Sequence, residues 1–165
     1  MVKVREVMSK KVATVTPDTL VKDAAMILAE KDISGMPVVD GGRIVGIFSE
    51  ADILKSLKTT KQDVRLIFPS VSSLGIAFQE KVTQREILEA YEEIGNKTVG
   101  EVMSREVTTV EPDIPVNEAI VKMVQRGINR LPVLEKNSLV GIITRGDVIR
   151  GLAKEDLEKK TGSKN

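Results

Sequence analysis

Val45-Gly46-Ile47-Phe48-Ser49-Glu50-Ala51-Asp52 is the stretch that decides the fold, because it returns 95 residues later as Val140-Gly141-Ile142-Ile143-Thr144-Arg145-Gly146-Asp147. The same offset relates residues 6–54 to residues 101–149 without a gap, and 18 of these 49 positions are identical. A repeat that keeps its register over this length indicates a duplicated structural unit. Two copies of one unit predict a molecule with a pseudo-two-fold axis, in which any site on that axis is built from both copies.

Each copy carries the same order of secondary-structure signals. A β-branched run at 12–15 ends at Pro17-Asp18, helical spacing begins at Leu20, and two further strands form a hairpin before a last helix. One copy of about 50 residues would leave much of its apolar surface in water. We therefore predict an α+β fold of two β-α-β-β-α repeats, packed sheet to sheet about a pseudo-two-fold axis, with a partly helical insert between them.

The repeats divide the chain into four segments. Residues 1–57 and 99–157 hold the two motifs, residues 58–98 form an insert with a helix near 84–94, and residues 158–165 form a flexible tail. Within the insert, Leu66–Phe78 is apolar and is either packed against the chain's own core or used as a subunit or partner interface. Thr83 begins a capping box, and one apolar stripe of the following helix comprises Ile87, Leu88, Tyr91 and Ile94.

Composition excludes several kinds of chemistry. The 165 residues contain no cysteine and no histidine, so a thiolate nucleophile, an imidazole base and a zinc site built on either are excluded. Lys+Arg 25 against Asp+Glu 24 gives a net charge of +1, which does not indicate a nucleic acid or membrane partner. The N-terminus lacks a signal-peptide pattern and no apolar run is long enough for a bilayer. The prediction is a cytoplasmic protein with no membrane span and no metal.

The repeated Gly-Ile-x-Ser/Thr-x-x-Asp motif has two interpretations. A hydroxyl followed three residues later by a carboxylate is a common way to cap a helix. The same groups also suit a nucleoside or nucleotide. The strand glycine lets a flat ligand approach, the hydroxyl stands at a helix N-terminus that attracts phosphate, and the carboxylate can accept both hydrogen bonds of a ribose diol.

The order of the motifs resembles a known family. Val-Met-Ser, Thr-Val-x-Pro-Asp, Leu/Met-Pro-Val and Gly-Ile-x-Ser/Thr-x-x-Asp, present twice, are similar to the paired CBS motif, named after cystathionine β-synthase and also called the Bateman module. The resemblance covers both copies and leaves out the insert and the tail. It implies a regulatory, non-enzymatic module that binds AMP, ADP, ATP or S-adenosylmethionine, needs no catalytic cofactor, forms a homodimer and modulates an unknown protein partner.

Two alternatives from other functional classes stay open. One is nucleic-acid binding through a basic stripe, against which the 2% aromatic content and near-zero net charge argue. The stripe comprises Lys55, Lys58, Lys61 and Arg65. The other is a ligand-free structural dimerisation module, in which both carboxylates merely cap helices.

The resemblance also assigns residues to two composite clefts. In each cleft the acid and hydroxyl of one copy would hold the ribose, and segments of the other copy would hold the base. The favoured cleft comprises Asp147, Thr144, Arg130, Asn129, Arg145, Met8, Val12, Ala13, Ile33, Ser34 and Gly35. The second cleft comprises Asp52, Ser49, Met103, Val107, Thr108 and Ile128, and it shares Asn129 with the first.

The two clefts differ at the position whose side chain reaches phosphates in relatives such as the γ subunit of AMP-activated kinase. That position is Arg130 in the second copy and Gly35 in the first, and only arginine offers a charged fork for phosphate. Arg145 adds a possible second cation, so we expect the Asp147 cleft to bind a phosphorylated ligand more tightly. Arg130 could instead be a solvated surface residue. Met8 and Met103 could each fill the core or contact the base.

Overall fold

The computed structural model describes residues 1–60 and 84–162. The first repeat begins with a short helix and ends with a longer one: α1 Val4–Val7, α2 Val21–Glu30, β1 Gly35–Asp40, β2 Arg43–Ser49 and α3 Glu50–Thr60. The helix α4, Gln84–Gly95, follows within the predicted insert. Thr83, the Leu66–Phe78 segment and two members of the basic stripe, Lys61 and Arg65, lie outside the described residues.

The second repeat has the same order of elements. They are α5 Val99–Val102, α6 Val116–Arg126, β3 Arg130–Glu135, β4 Ser138–Thr144 and α7 Arg145–Gly162. The repeated mixed α/β architecture predicted from the sequence is therefore confirmed. The short helices α1 and α5 were not predicted, because four residues are too few to show a helical period. In the described part of the chain, every helix is too short or too polar to cross a membrane.

The predicted first strand of each repeat, at 12–15 and 107–110, is reduced to one parallel bridge. Val110 donates to Pro132 O at 3.1 Å, and Leu134 donates to Val110 O at 2.9 Å. The next two donors of a parallel ladder would be the amides of residues 112 and 132, and both are prolines without an N–H. Val15 bridges Val38 in the same way, between Pro17 and Pro37. The prolines limit this strand to a single pair.

The chain folds into two compact units that do not coincide with the two repeats. The first unit contains Met1–Thr14, Val39–Gly46 and Arg105–Asn165, and the second contains Val15–Val38 and Ile47–Ser104. Each unit thus takes the start of one repeat together with the end of the other. Val4 N bonds to Ile114 O at 3.0 Å in the first unit, and Val99 N bonds to Thr19 O at 2.8 Å in the second.

The core of the first unit lies among α1, α6, β3, β4 and the start of α7. Its buried residues include Val4, Leu131, Val133 and Ile143, together with the α6 positions Val116, Ala119 and Met123. These α6 residues follow the helical spacing seen in the sequence. The turn between β3 and β4 uses Lys136 and Asn137 at φ of 50° and 64°, so both residues are left-handed.

In the second unit, α2 buries Val21, Ala24 and Leu28, and β2 buries Phe48. Of the four residues in the apolar stripe of α4, one is buried. The helix buries Ala90 and Ile94, whereas the other three residues are exposed: Ile87, Leu88 and Tyr91. The packing of α4 against α2 uses a narrower face, where Gly95 approaches Lys22 so closely that a Cβ on Gly95 would lie 3.2 Å from Lys22 Cβ.

Candidate functional site

Asp147 lies at the start of α7, where β4 ends, and its side chain is buried. The residue is 2% exposed. Asp147 Oδ2 accepts hydrogen bonds from Thr144 N at 2.8 Å and from Thr144 Oγ1 at 2.7 Å. This is the capping geometry that the sequence spacing indicates, since the carboxylate closes back on the residue that precedes the helix.

Asp52 has the same arrangement in the second unit. It is 4% exposed, and its Oδ2 accepts Ser49 N at 2.8 Å and Ser49 Oγ at 3.0 Å. A carboxylate oxygen has about two acceptor positions, so the cap occupies Oδ2 in both repeats. Because the cap uses Oδ2 in both repeats, a capping role does not exclude a ligand role at Oδ1.

The partner of Oδ1 differs between the two units. Asp52 Oδ1 accepts the Ser104 hydroxyl at 2.8 Å, whereas Asp147 Oδ1 accepts a hydrogen bond from Arg150, one helical turn further along α7. Neither Ser104 nor Arg150 was predicted as a site residue. Arg150 could have been found, because an acid and a base three residues apart meet on a helix. Ser104 could not, because it is 52 positions away from Asp52 in the sequence.

The Val-Met-Ser segment of each repeat contacts the Gly-Ile strand of the other repeat. Ser9 and Ile142 exchange backbone hydrogen bonds of 2.9 and 3.0 Å in the first unit. Ile47 and Ser104 do the same in the second, with both bonds at 2.9 Å. Each acid is thus accompanied, inside one unit, by a loop from the opposite repeat.

Met8 lies against Gly141, where the sequence motif predicts the approach of a ligand. A Cβ on Gly141 would lie 2.6 Å from Met8 Sδ and 3.1 Å from Ser9 O. The strand glycine is therefore required for the approach of the protein's own loop. Met103, the equivalent of Met8, is buried in the second unit. These contacts support the core-filling role of both methionines and leave ligand contact by their outer atoms as a prediction.

A glutamate side chain caps the short helix that leads into each Val-Met-Ser segment. Glu101 accepts Thr98 N at 2.7 Å and Thr98 Oγ1 at 3.0 Å, and these two hydrogen bonds lower the pKa of its carboxyl. Glu6 accepts hydrogen bonds from Lys3 N at 2.8 Å and from Lys154 Nζ at 3.2 Å. Both lower the pKa of its carboxyl, and the bond from Lys3 has the larger effect. The ionised carboxylates thus stabilise α5 and α1.

The remaining residues of the favoured cleft that belong to the second repeat lie close to Thr144. Arg130 is directly opposite Thr144 in the antiparallel β3–β4 register, and Arg145 N donates to Asn129 O at 3.2 Å. Arg130 is half-buried, whereas Asn129 and Arg145 are exposed. We call this cluster the Asp147 site; it comprises Asn129, Arg130, Thr144, Arg145 and Asp147, all in the first unit. Met8, Val12 and Ala13 belong to the same unit.

Ile33, Ser34 and Gly35 belong to the second unit, which also contains Asp52 of the same repeat. Glu50 N donates to Ser34 O at 3.1 Å, which brings Ser34 to the start of α3. Gly35, the equivalent of Arg130, is buried and provides no cation. Contact of these three residues with a ligand at Asp147 stays a prediction.

The residues predicted for the second cleft are also divided. Ser49, Asp52 and Met103 are in the second unit, whereas Val107, Thr108 and Ile128 are in the first. Val107 lines a cavity of about 590 Å³ between the turns of the two hairpins, together with Gly42, Arg43 and Lys136. The assembly of the second-cleft residues around one ligand stays a prediction.

Comparisons with known proteins agree with this fold and these motifs. The family model of the CBS domain matches residues 4–59 and 99–154. An uncharacterised protein of Methanocaldococcus jannaschii, MJ1426, is 34% identical over 152 residues, which is 90% of each chain. The chain therefore belongs to the CBS-domain family, as a tandem pair of CBS domains.

Two solved structures resemble the whole pair. The CBS domain pair of protein MJ0100, solved in complex with 5′-methylthioadenosine and S-adenosyl-L-methionine, is 27% identical with a TM-score of 0.67 and covers 94% of this chain and 98% of that one. Protein MJ1225 from Methanocaldococcus jannaschii, proposed as an archaeal homolog of g-AMPK, is 27% identical with a TM-score of 0.69. The match covers 90% of this chain and 46% of the longer MJ1225 chain.

Proposed function

We propose that this chain is a regulatory module that binds an adenosine derivative at the Asp147 site and changes the surface it presents to a protein partner. The observation that carries this proposal is the buried Asp147 carboxylate, whose Oδ2 caps α7 while its Oδ1 accepts one hydrogen bond, from the exposed Arg150 side chain. A buried carboxylate with an available acceptor position suits the vicinal hydroxyls of ribose.

The charges around the site favour a phosphorylated ligand. Arg130 and Arg145 flank Thr144, one across the β3–β4 pair and one next in sequence. The amide groups at the start of α7 add a further positive potential, since the first turn of a helix favours anions. At the equivalent place in the second unit, Gly35 replaces Arg130, so we infer weaker phosphate binding at Asp52.

The similarity to the MJ0100 pair supports the ligand class. That protein was solved with two adenosine derivatives, neither of which carries a phosphate. We therefore place AMP, ADP and ATP ahead of S-adenosylmethionine only on the strength of Arg130 and Arg145. Among the residues that the structure describes, Asp52 and Asp147 are the buried acids, one in each site, so we expect binding without turnover.

Isothermal titration with AMP, ATP and S-adenosylmethionine tests the proposal. We expect AMP or ATP to bind, and Asp147→Asn to weaken binding at least tenfold while the unliganded protein loses no more than the roughly 0.5–2 kcal/mol of a helix cap. Asp52→Asn removes the same cap in the other repeat, and we expect it to weaken AMP binding less than Asp147→Asn because Gly35 stands there in place of Arg130. Absence of heat and of any shift in melting temperature with all three ligands would contradict the proposal.

Homodimer formation and regulation of a partner belong to the same proposal. Binding would act by favouring one of two arrangements of the module, and only a ligand with different affinities for the two can shift them. Sedimentation with and without AMP measures whether the chain forms a homodimer. A ligand-induced change in hydrogen exchange far from Thr144 would support regulation of a partner.

A further inference from the structure

Arg150 covers the acceptor oxygen on which ligand binding at Asp147 depends. Its guanidinium donates to Asp147 Oδ1, while the Asp147 cap occupies Oδ2. The Arg150 side chain is 68% exposed and that of Asp147 only 3%. The cation therefore lies on the solvent side of a buried carboxylate, where an incoming ligand would meet it.

The other repeat has a neutral group at the same oxygen. Asp52 Oδ1 accepts the hydroxyl of Ser104, and the residue equivalent to Arg150 is Lys55. Among residues 1–60 and 84–162, no ion pair joins Lys55 to Asp52. The number of donors on each carboxylate is the same in the two units, so the difference between them is the charge of one donor.

A ribose that uses both hydroxyls at Asp147 must displace Arg150. Oδ2 already accepts two hydrogen bonds and Oδ1 accepts one, which leaves about one acceptor position for two hydroxyls. A neutral nucleoside leaves the displaced guanidinium without an anion. A nucleotide carries a phosphate on the same ribose, and a guanidinium binds phosphate with two parallel hydrogen bonds.

We propose that Arg150 is a specificity-determining residue that makes the Asp147 site select anionic over neutral adenosine ligands. It does so by exchanging its ion pair with Asp147 for one with the ligand phosphate. This inference rests on the proposed function and goes beyond it, because it assigns the discrimination between nucleotide and nucleoside to a residue outside the repeated motif.

The test measures the ratio of affinities for AMP and adenosine in the wild type, Arg150→Gln and Lys55→Gln. In Arg150→Gln we expect adenosine to bind more tightly and AMP more weakly, so that the ratio falls about tenfold, equivalent to about 1.4 kcal/mol. Lys55→Gln should leave the ratio within twofold of the wild type. Arg150→Lys should recover part of the ratio, because it keeps the charge without the planar fork.

Salt dependence provides an independent readout. The AMP affinity of the wild type should fall more steeply with ionic strength than that of Arg150→Gln, since a phosphate contact is screened. An unchanged ratio in an Arg150→Gln protein that still binds both ligands would overturn this inference and leave the proposed function standing. If neither ligand binds the wild type or the variant, the proposed function fails, and this inference fails with it.

Discussion

Ser104 Oγ donates a 2.8 Å hydrogen bond to Asp52 Oδ1, and so links the Val-Met-Ser loop of the second repeat to the acid of the first. The two residues are 52 positions apart and meet because the second unit is assembled from both repeats. The equivalent pair in the first unit, Ser9 and Asp147, makes no side-chain hydrogen bond within residues 1–60 and 84–162. The two repeats therefore share the backbone hydrogen bonds of the Val-Met-Ser segment but differ in the side chain that donates to Oδ1 of the acid.

Ser104→Ala should destabilise the protein more than Ser9→Ala. The first substitution removes a hydrogen bond to a buried carboxylate, and water can replace it only in part because Asp52 is enclosed. We expect a loss of about 1 kcal/mol for Ser104→Ala and less than about 0.5 kcal/mol for Ser9→Ala. Urea unfolding of both variants under identical conditions measures the difference, and equal losses would contradict the assigned bond.

Gly141→Ala should destabilise the first unit, because the new Cβ would lie 2.6 Å from Met8 Sδ and 3.1 Å from Ser9 O. Overpacking of this kind costs about 1–3 kcal/mol. The double variant Met8→Ala with Gly141→Ala should lose less stability than the sum of the single variants, since the sulfur is gone. Gly146→Ala is the control; its Cβ would lie no closer than 3.5 Å to Arg150 Nη1, and it should be neutral or stabilising. Strict additivity of the double variant would argue against the Met8 contact.

Asp32→Gly should stabilise the protein, whereas Gly127→Ala should destabilise it. These residues occupy equivalent positions after α2 and α6 and have left-handed φ values of 51° and 62°. Each donates a 3.3 Å hydrogen bond to the helix that it follows. Only glycine adopts this conformation without strain, so we expect about 0.5 kcal/mol gained at Asp32 and about 1 kcal/mol lost at Gly127. Thermal melting of both variants checks the two signs, and a loss of stability in Asp32→Gly would count against this account.

Stability should fall in acid partly through Glu101. Hydrogen bonds from Thr98 hold its pKa below the ordinary 4.5, so its contribution is complete above that pH and is lost as the pH falls through the lowered value. Glu101→Gln should therefore melt with a weaker dependence on pH below about 4.5 than the wild type. Glu30→Gln, a change at an exposed position of α2, is the control and should keep the wild-type slope. Parallel curves for the wild type and Glu101→Gln would contradict this role.

Helix faces and helix caps could be predicted from the sequence because they depend on residues that are close together in the chain. The helical spacing of Val21, Ala24 and Leu28 places these residues in the core, and the cap between Thr144 and Asp147 follows from a separation of three residues. The exposure of the α4 stripe depends on distant residues instead. Spacing aligns Leu88 and Tyr91 on one face of the helix, but only the surrounding surface decides whether that face is covered, and in the described structure both residues are exposed.

The sequence by itself determined the family, the duplicated order of strands and helices, and the two capped acids. The tertiary structure alone decided that the start of each repeat joins the end of the other, that Met8 fills the space beside Gly141, and that Ser104 and not Ser9 reaches an acid. The physical reason is that capping and helix spacing depend on residues within one or two turns. A hydrogen bond across 52 residues depends on packing, which no local pattern contains.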